Sequence, residues 1–372
     1  MAESKDSNTS PTVIIIGAGL TGLLAAQALK NASTNSSQHG FTWAETLPMY
    51  NGETGHLIFK SAVPGGRRIT RRGLREVLSE GLGIQWGRKV TGLDTESDPE
   101  KVKVTLEGEE GVEEEMWADF VLGTDGSGSK VREILFENQE NGEERAKVKR
   151  SGFMIGTCVV DYQDEDVVRK VLEKHPVMAM VMSRGAVGGF GVQYTTGTPP
   201  SHLQHTFFWT KIWKGSLSST PNIPRKGPEA VRHLKQSWQD LSSDFQSFVD
   251  ATPEDETHTQ AFIDEMGTWI AQPFDNRDGR VTLAGDAGHP MLILRGQGFQ
   301  HAVMDVHNYV QALLAIRDSG KDREEAVTAY DQDMVERGSK AAVQALEEAE
   351  LAMDAKSVEK MLMVRKGHGR SV

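Results

Sequence analysis

The chain has 372 residues, enough for two domains or one large lobed unit. Its 38% hydrophobic and 25% charged residues are ordinary for a globular protein, and a net charge of −12 argues against general affinity for nucleic acid or anionic membrane. A single cysteine, Cys158, excludes an internal disulfide and a cysteine-based zinc site, and fits a reducing, cytoplasmic compartment.

The opening residues 1–12 are polar, without the apolar core of a signal peptide. No apolar run reaches the length of about 18 residues that a membrane span needs. Residues 12–16 (TVIII) form a short β-branched run of strand type. Gly17, Gly19 and Gly22 follow within GAGLTG, and residues 20–30 are helical by composition and apolar spacing. Strand, glycine turn and helix in this order make a dinucleotide fingerprint. Gly17 permits the turn, Gly19 lets backbone approach a pyrophosphate, and Gly22 lets the helix pack on the strand.

Residues 31–40 are polar and turn-like, and residues 41–64 carry scattered aromatics without a clean period. Residues 67–82 read as a basic-led amphipathic helix containing Arg71. Strands are expected over 84–90 and 102–106, with a solvated Glu-rich tip at 107–115. A buried strand, 120–123, ends at Thr124, Asp125 and Gly126. Strands at 151–161, 177–182, 187–194 and 205–213 then shift the chain toward β structure, with a helix at 228–249. Strand–turn–helix returns at 280–306, where Gly285 and Asp286 precede a Gly296-Gln297-Gly298 turn. A carboxylate at a strand end can accept ribityl or ribose hydroxyls, and free N–H groups at a helix start can face a phosphate or ring edge. This segment and the first fingerprint together point to FAD. Residues 323–360 read as a long helical tail.

Four segments carry a resemblance: residues 13–29 (VIIIGAGLTGLLAAQAL), 71–78 (RRGLREVL), 120–132 (FVLGTDGSGSKVR) and 283–306. They resemble the single-component FAD-dependent monooxygenases of the para-hydroxybenzoate hydroxylase-like group, in its fungal secondary-metabolite branch. The resemblance implies an α/β fold: a Rossmann-like FAD-binding domain, an inserted β-sheet-rich substrate domain and a long C-terminal helix. The expected division is 1–150 and 276–372 for FAD and 151–275 for substrate. It implies that Gly17, Gly19 and Gly22 approach the pyrophosphate and Arg71 the pyrophosphate or ribityl chain. Asp286 would bind ribityl hydroxyls, and Gly296, Gln297 and Gly298 would face the pyrimidine edge of the flavin. Asp125 and Gly126 would contact FAD and a transient NAD(P)H, or simply fix the strand end. His289 reads as a loop residue rather than a base.

The sequence departs from that pattern. A Rossmann unit places an acid about 20 residues past its glycines, at the end of the second strand. Here only Glu45 is near, after no convincing strand, and the interval from Gly22 to Arg71 is short. The second-strand region is expected to be missing. Ile293 and Gln300 stand where the family usually has Pro and Asn.

The resemblance implies a hydroxylase or epoxidase that uses NAD(P)H and O₂ through a flavin C4a-hydroperoxide. Its substrate would be a small molecule, an aromatic or polyketide-type metabolite, and no metal is implied. Tyr194, Phe207, Trp209 and Trp213 are candidates for the pocket, set against plain packing on a sheet face. Two rival readings stay open: a degenerate, non-catalytic flavoprotein fold, and an FAD-dependent oxidase or dehydrogenase. The halogenase string Trp-x-Trp-x-Ile-Pro is absent, and only one glycine fingerprint is present.

Overall fold

The computed structural model describes residues 11–31, 42–174, 177–196, 204–353, 357, 360 and 361. In chain order the elements are β1 (Val13–Ile16), α1 (Leu20–Asn31), β2 (Thr42–Asn51), β3 (Leu57–Arg68), α2 (Arg71–Ser79), β4 (Lys89–Asp94), β5 (Val102–Glu107), β6 (Glu113–Ala118) and β7 (Phe120–Gly123). Then come α3 (Lys130–Phe136), α4 (Gly142–Ala146), β8 (Lys149–Val160), α5 (Glu165–Lys174), β9 (Met178–Ser183), β10 (Ala186–Thr196) and β11 (Gln204–Lys214). The chain closes with α6 (Gly227–Ser237), α7 (Ser243–Asp250), β12 (Thr259–Thr268), β13 (Val281–Leu283), α8 (Gly298–Ser319) and α9 (Arg323–Ala352).

Three sheets result. One is parallel, in the order β1-β7-β13. The apolar strands β7 and β13 are buried throughout, as continuous apolar runs covered on both faces should be. β1 is equally apolar but only half-buried along its length, because no described strand pairs with its outer edge. Among the described residues the sheet stops at β1, and residues 32–41, part of the expected gap, lie outside them. The small antiparallel sheet β4-β5-β6 packs through Val90, Val102, Val104 and Leu106 into the same core as β7, β13, α3 and α8.

The large sheet runs β12-β8-β11-β10-β9-β2-β3. It draws in residues 42–68, which showed no strand period in the sequence. β2 pairs parallel with β9 and antiparallel with β3, with a bulge between Ala44 and Thr46. Glu45 thus sits at a bulge in the large sheet and not at a strand end beside β1. Three further expectations are adjusted. Residues 84–88 are loop before β4, the basic helix starts only at Arg71, and the single helix expected over 228–249 is two, α6 and α7. The helical tail ends at Ala352, and of the residues beyond 353 only 357, 360 and 361 are described.

Alternation along the large sheet sorts its side chains onto two faces. Val181, Phe190, Phe207 and Trp209 pack against Leu234, Phe245 and Phe248 of the covering helices. Met49, Met180, Met182 and Ile212 pack instead against Leu292, Leu294 and the alanines of α9. The second face therefore meets the loop that follows Asp286.

Candidate cofactor site

Three of the recognised segments interlock. Gly17 has φ +115°, and a Cβ there would lie 2.4 Å from the Thr124 carbonyl oxygen. Thr124 answers by donating its Oγ1 hydrogen to the carbonyls of Ile16 at 2.8 Å and Gly17 at 3.0 Å. The fingerprint and the Asp-Gly segment are thus locked side by side. Gly285 has φ +62°, and its Cβ position lies 2.4 Å from Thr21 Oγ1, so the Gly-Asp segment sits directly on the start of α1. Gly22 is required for a closer reason: a Cβ would lie 2.0 Å from the Gly17 carbonyl oxygen. Gly19 differs from all of these, with nothing within 4 Å of its Cβ position. Packing does not require glycine there, whereas close approach of a ligand does.

A buried arginine completes the third side of this triangle. Arg132 donates from Nε to Ala146 O at 2.8 Å, from Nη1 to Ala287 O at 2.8 Å, and from Nη2 to Ser127 O. Its guanidinium lies 5.0 Å from the Trp269 ring centre. Burial lowers its pKa, opposed by the negative charge of Asp125. Arg132 ends the third motif, and with Lys130 and Glu133 beside it in α3 the sequence carries no signal that it alone turns inward.

Asp125 is committed locally. One oxygen accepts from Ser129 Oγ at 2.6 Å, and the other from the N–H groups of Lys130 at 2.7 Å and Val131 at 3.2 Å. It starts α3 as a capping carboxylate. Gly126, with φ +81° and nothing near its Cβ position, leaves the adjoining surface open.

Arg71 opens α2, whose N-cap Thr70 accepts from Gly73 N at 2.9 Å. α2 is tied to α1: Gln27 Nε2 donates to the carbonyls of Leu78 at 3.0 Å and Glu80 at 2.8 Å. Arg71, Arg72 and Arg75 consequently share a groove of about 850 Å³ with β1 and the glycine turn. The groove runs along the outer edge of β1, where a further strand would otherwise lie. The exposed Trp86 forms part of its opposite wall, with Arg75 5.8 Å from the ring centre.

On the other side of α1, Asp286 stands exposed on a 3₁₀ turn, with one carboxylate oxygen 4.0 Å from the Cβ position of Gly298. Gly296 takes φ +60° to end the turn Ile293–Arg295, and Gly298 begins α8. The first N–H groups of α8 lack intrahelical acceptors by geometry. Gln297 is buried at the cap position and Ile293 is 55% exposed, so the substitution at 293 puts an apolar side chain on the surface of this loop.

His289 lies in the loop after the 3₁₀ turn, as expected, and is fully buried there. Its Nε2 lies 2.6 Å from Asp305 Oδ2. Burial opposes charge on His289, but Asp305 outweighs it and the imidazole pKa is raised. Burial likewise opposes ionisation of Asp305, yet His289, Arg337 and the Gly285 N–H hold its pKa down. His301, against the same cluster, is pushed down to about 4 by burial and by the charges of His289 and Arg337.

The pocket candidates divide. Phe207 and Trp209 are fully buried on the helix-covered face, and Trp209 donates to Thr252 Oγ1 at 2.9 Å. Trp213 packs at the margin of that core, and Tyr194 is 46% exposed. Packing accounts for the first three. Cys158 is buried and its thiol is pushed up to about 12 by burial, so it is not a nucleophile. Among the described residues no cluster of metal-ligating side chains occurs, and no helix is long and apolar enough to cross a membrane.

Residues 68–345 match the family described as FAD binding domain. The chain belongs to that family. FAD is its cofactor, and the open glycines, exposed carboxylate and arginine-lined groove form a donor and acceptor set that fits it. The chain is 26% identical to FAD-dependent monooxygenase phnB of Penicillium herquei, over 96% of both chains. It is 26% identical to FAD-dependent monooxygenase cctM of Talaromyces islandicus, over 89% of this chain and 90% of that one. CtdE, solved with FAD and a substrate, shares the fold with a TM-score of 0.71 at 18% identity, over 94% of this chain and 91% of that one. The alignment with the Penicillium protein takes 407 positions, more than the 372 residues here, so that relative carries residues with no counterpart in this chain.

Proposed function

We propose that this FAD-dependent monooxygenase hydroxylates or epoxidises an aromatic or polyketide-type small molecule. The enzyme is an oxidoreductase that takes electrons from NAD(P)H and inserts oxygen from O₂. The mutual interlock of the three segments around the open Gly19 and the exposed Asp286 is the observation that carries the site assignment.

In this reading Gly19 and the first N–H groups of α1 take the pyrophosphate, where free amides and the helix dipole favour negative charge. Arg71 lies on the same groove as a permanent cation. Asp286 accepts hydroxyls of the ribityl chain. The N–H groups at the start of α8, with the backbone of Gly296 and Gln297, stabilise negative charge at the ring edge. Asp125 acts by fixing α3 rather than by contact. FAD supplies the redox chemistry that activates oxygen. The chain's own task is to bind, orient and keep water away.

Substrate would lie where the loop after Asp286 meets the methionine-rich face of the large sheet, near Met180 and Met182. Methionine side chains adapt to irregular apolar shapes, which suits a ring-containing metabolite. The units that follow from this are a cofactor part built around β1, β7 and β13, and a substrate part that includes residues 42–68 with the central strands.

The purified protein tests the whole reading. Yellow protein, NAD(P)H oxidation that depends on substrate, and ¹⁸O from ¹⁸O₂ in the product support it. Peroxide with a desaturated product would make it an oxidase, and failure to bind added FAD would favour the degenerate fold.

A further inference from the structure

Asp305 lies on α8, out of reach of any ligand at the surface, with no exposed area. One of its oxygens accepts from the N–H of Gly285 at 2.7 Å and lies 2.6 Å from His289 Nε2. These two partners are the first and last residues of the segment that carries Asp286, and the His289 N–H closes that segment by donating to Gly285 O at 2.9 Å. The second oxygen accepts from Arg337 Nη2 at 2.8 Å, and the same nitrogen donates to Asp333 at 2.9 Å. Arg337 Nη1 reaches His301 Nδ1 at 3.2 Å. On α9, Gly338 leaves the room His289 needs: a Cβ there would lie 2.7 Å from His289 Cβ.

Taking a carboxylate and its partners out of water is expensive, and an apolar residue would fill the same volume at lower cost. What an apolar residue could not do is hold a turn at both ends. The turn begins at Gly285 with φ +62°, which glycine adopts freely, so the contacts at its two ends decide where it points.

We propose that Asp305 is a positioning residue for cofactor binding, clamping Gly285 and His289 from beneath so that the Asp286 carboxylate is held toward the start of α8. This rests on the reading that Asp286 binds FAD. Asparagine at 305 offers a single, neutral acceptor oxygen: kept on Gly285 N–H and His289 Nε2 it turns its NH₂ against the Arg337 donor, and flipped toward Arg337 it turns that NH₂ against both ends of the turn. Either way the charge that fastens the clamp is lost.

The test is a double-mutant cycle read by FAD titration of apoprotein through flavin fluorescence quenching. Asp305→Asn is expected to weaken FAD binding about ten- to a hundredfold, the range for loss of a charged hydrogen-bonding partner. In an Asp286→Ala background the same change should weaken it less than about threefold, because the residue it acts through is gone. Equal weakening in both backgrounds overturns the proposal, since it would mean general loosening of the fold. Unchanged binding in Asp286→Ala alone overturns instead the site reading beneath it. If Asp305→Asn does not fold, Arg337→Gln, at the half-buried end of the cluster, takes its place in the cycle with a smaller effect and the same coupling. Additive behaviour there rejects the proposal equally.

Discussion

Replacing Arg132 by methionine removes a side chain that joins the Asp-Gly segment to the Gly-Asp segment. The thioether retains roughly the length of the arginine stem and can itself pack on the Trp269 ring that the guanidinium now covers, so little cavity forms. What is lost is a donor to three backbone oxygens, those of Ser127, Ala146 and Ala287. A buried polar group left without a partner costs about 1–3 kcal/mol. Water reaching the Ser127 end recovers part of this, so the variant should lose about 3–6 kcal/mol of stability. At about 1.3 °C per kcal/mol for a chain of this size, the melting temperature of apoprotein should fall by about 4–8 °C. Near-UV circular dichroism against temperature measures it. Arg132→Lys, which keeps the charge but not the planar fork, should fall between the two. A melting temperature within about 2 °C of the parent would refute the argument that these three carbonyls depend on Arg132.

The remaining predictions separate binding from folding. Gly19→Ala should leave the melting temperature of apoprotein unchanged, because nothing lies within 4 Å of the new methyl, yet weaken FAD binding at least tenfold. Gly17→Ala should do the reverse and destabilise apoprotein strongly, since φ +115° and the Thr124 backbone both exclude the methyl. Asp331, buried between Thr282 and Asn276, has its pKa raised to about 7 by burial. The folded state then keeps a proton that the unfolded state releases, so this group favours folding at low pH and loses that contribution as pH rises from about 4 to 7. Asp331→Asn should therefore gain melting temperature relative to the parent between pH 6 and pH 8.5. An equal difference at both pH values rejects the assignment. Cys158 should resist thiol reagents in the native protein and react only on unfolding.

Much of the site was legible because each segment follows a local rule. A β-branched run before GAGLTG and an amphipathic helix after it fixed β1 and α1, and a strand ending in Gly-Asp fixed β13 and its turn. The glycines were readable, but their different duties were not. Gly17 and Gly22 answer backbone packing and Gly19 answers open space, a distinction only coordinates carry. β2 and β3 were missed because bulges break their period of two and the edge strand β3 leaves Leu57 and Ile58 exposed. Asp305 and Arg337 were passed over for a related reason. A charged residue on an amphipathic helix reads as solvated, and only the packing of α8 on α9 turns both inward.

The edge of β1 links that account to affinity. Alternate residues of a parallel strand bond to alternate sides, so the outward backbone groups of Val13 and Ile15 face the groove instead of a neighbouring strand. Among the described residues no strand lies along the outer edge of β1 to bring a carboxylate there, and the one acid the sequence offered, Glu45, lies in another sheet. On the proposed reading the adenosine end of the cofactor would meet arginines and Trp86 where a diol-binding acid is the usual partner. Cations and an aromatic face favour phosphate and stacking over ribose hydroxyls. On that reading the affinity for FAD would lean on the pyrophosphate and on the Asp286 side of the site, where Asp305 and Arg132 bond the backbone of Gly285 and Ala287. Salt should accordingly weaken FAD binding more steeply here than in a relative that grips the ribose with a carboxylate, because interactions of exposed arginines with phosphate are screened.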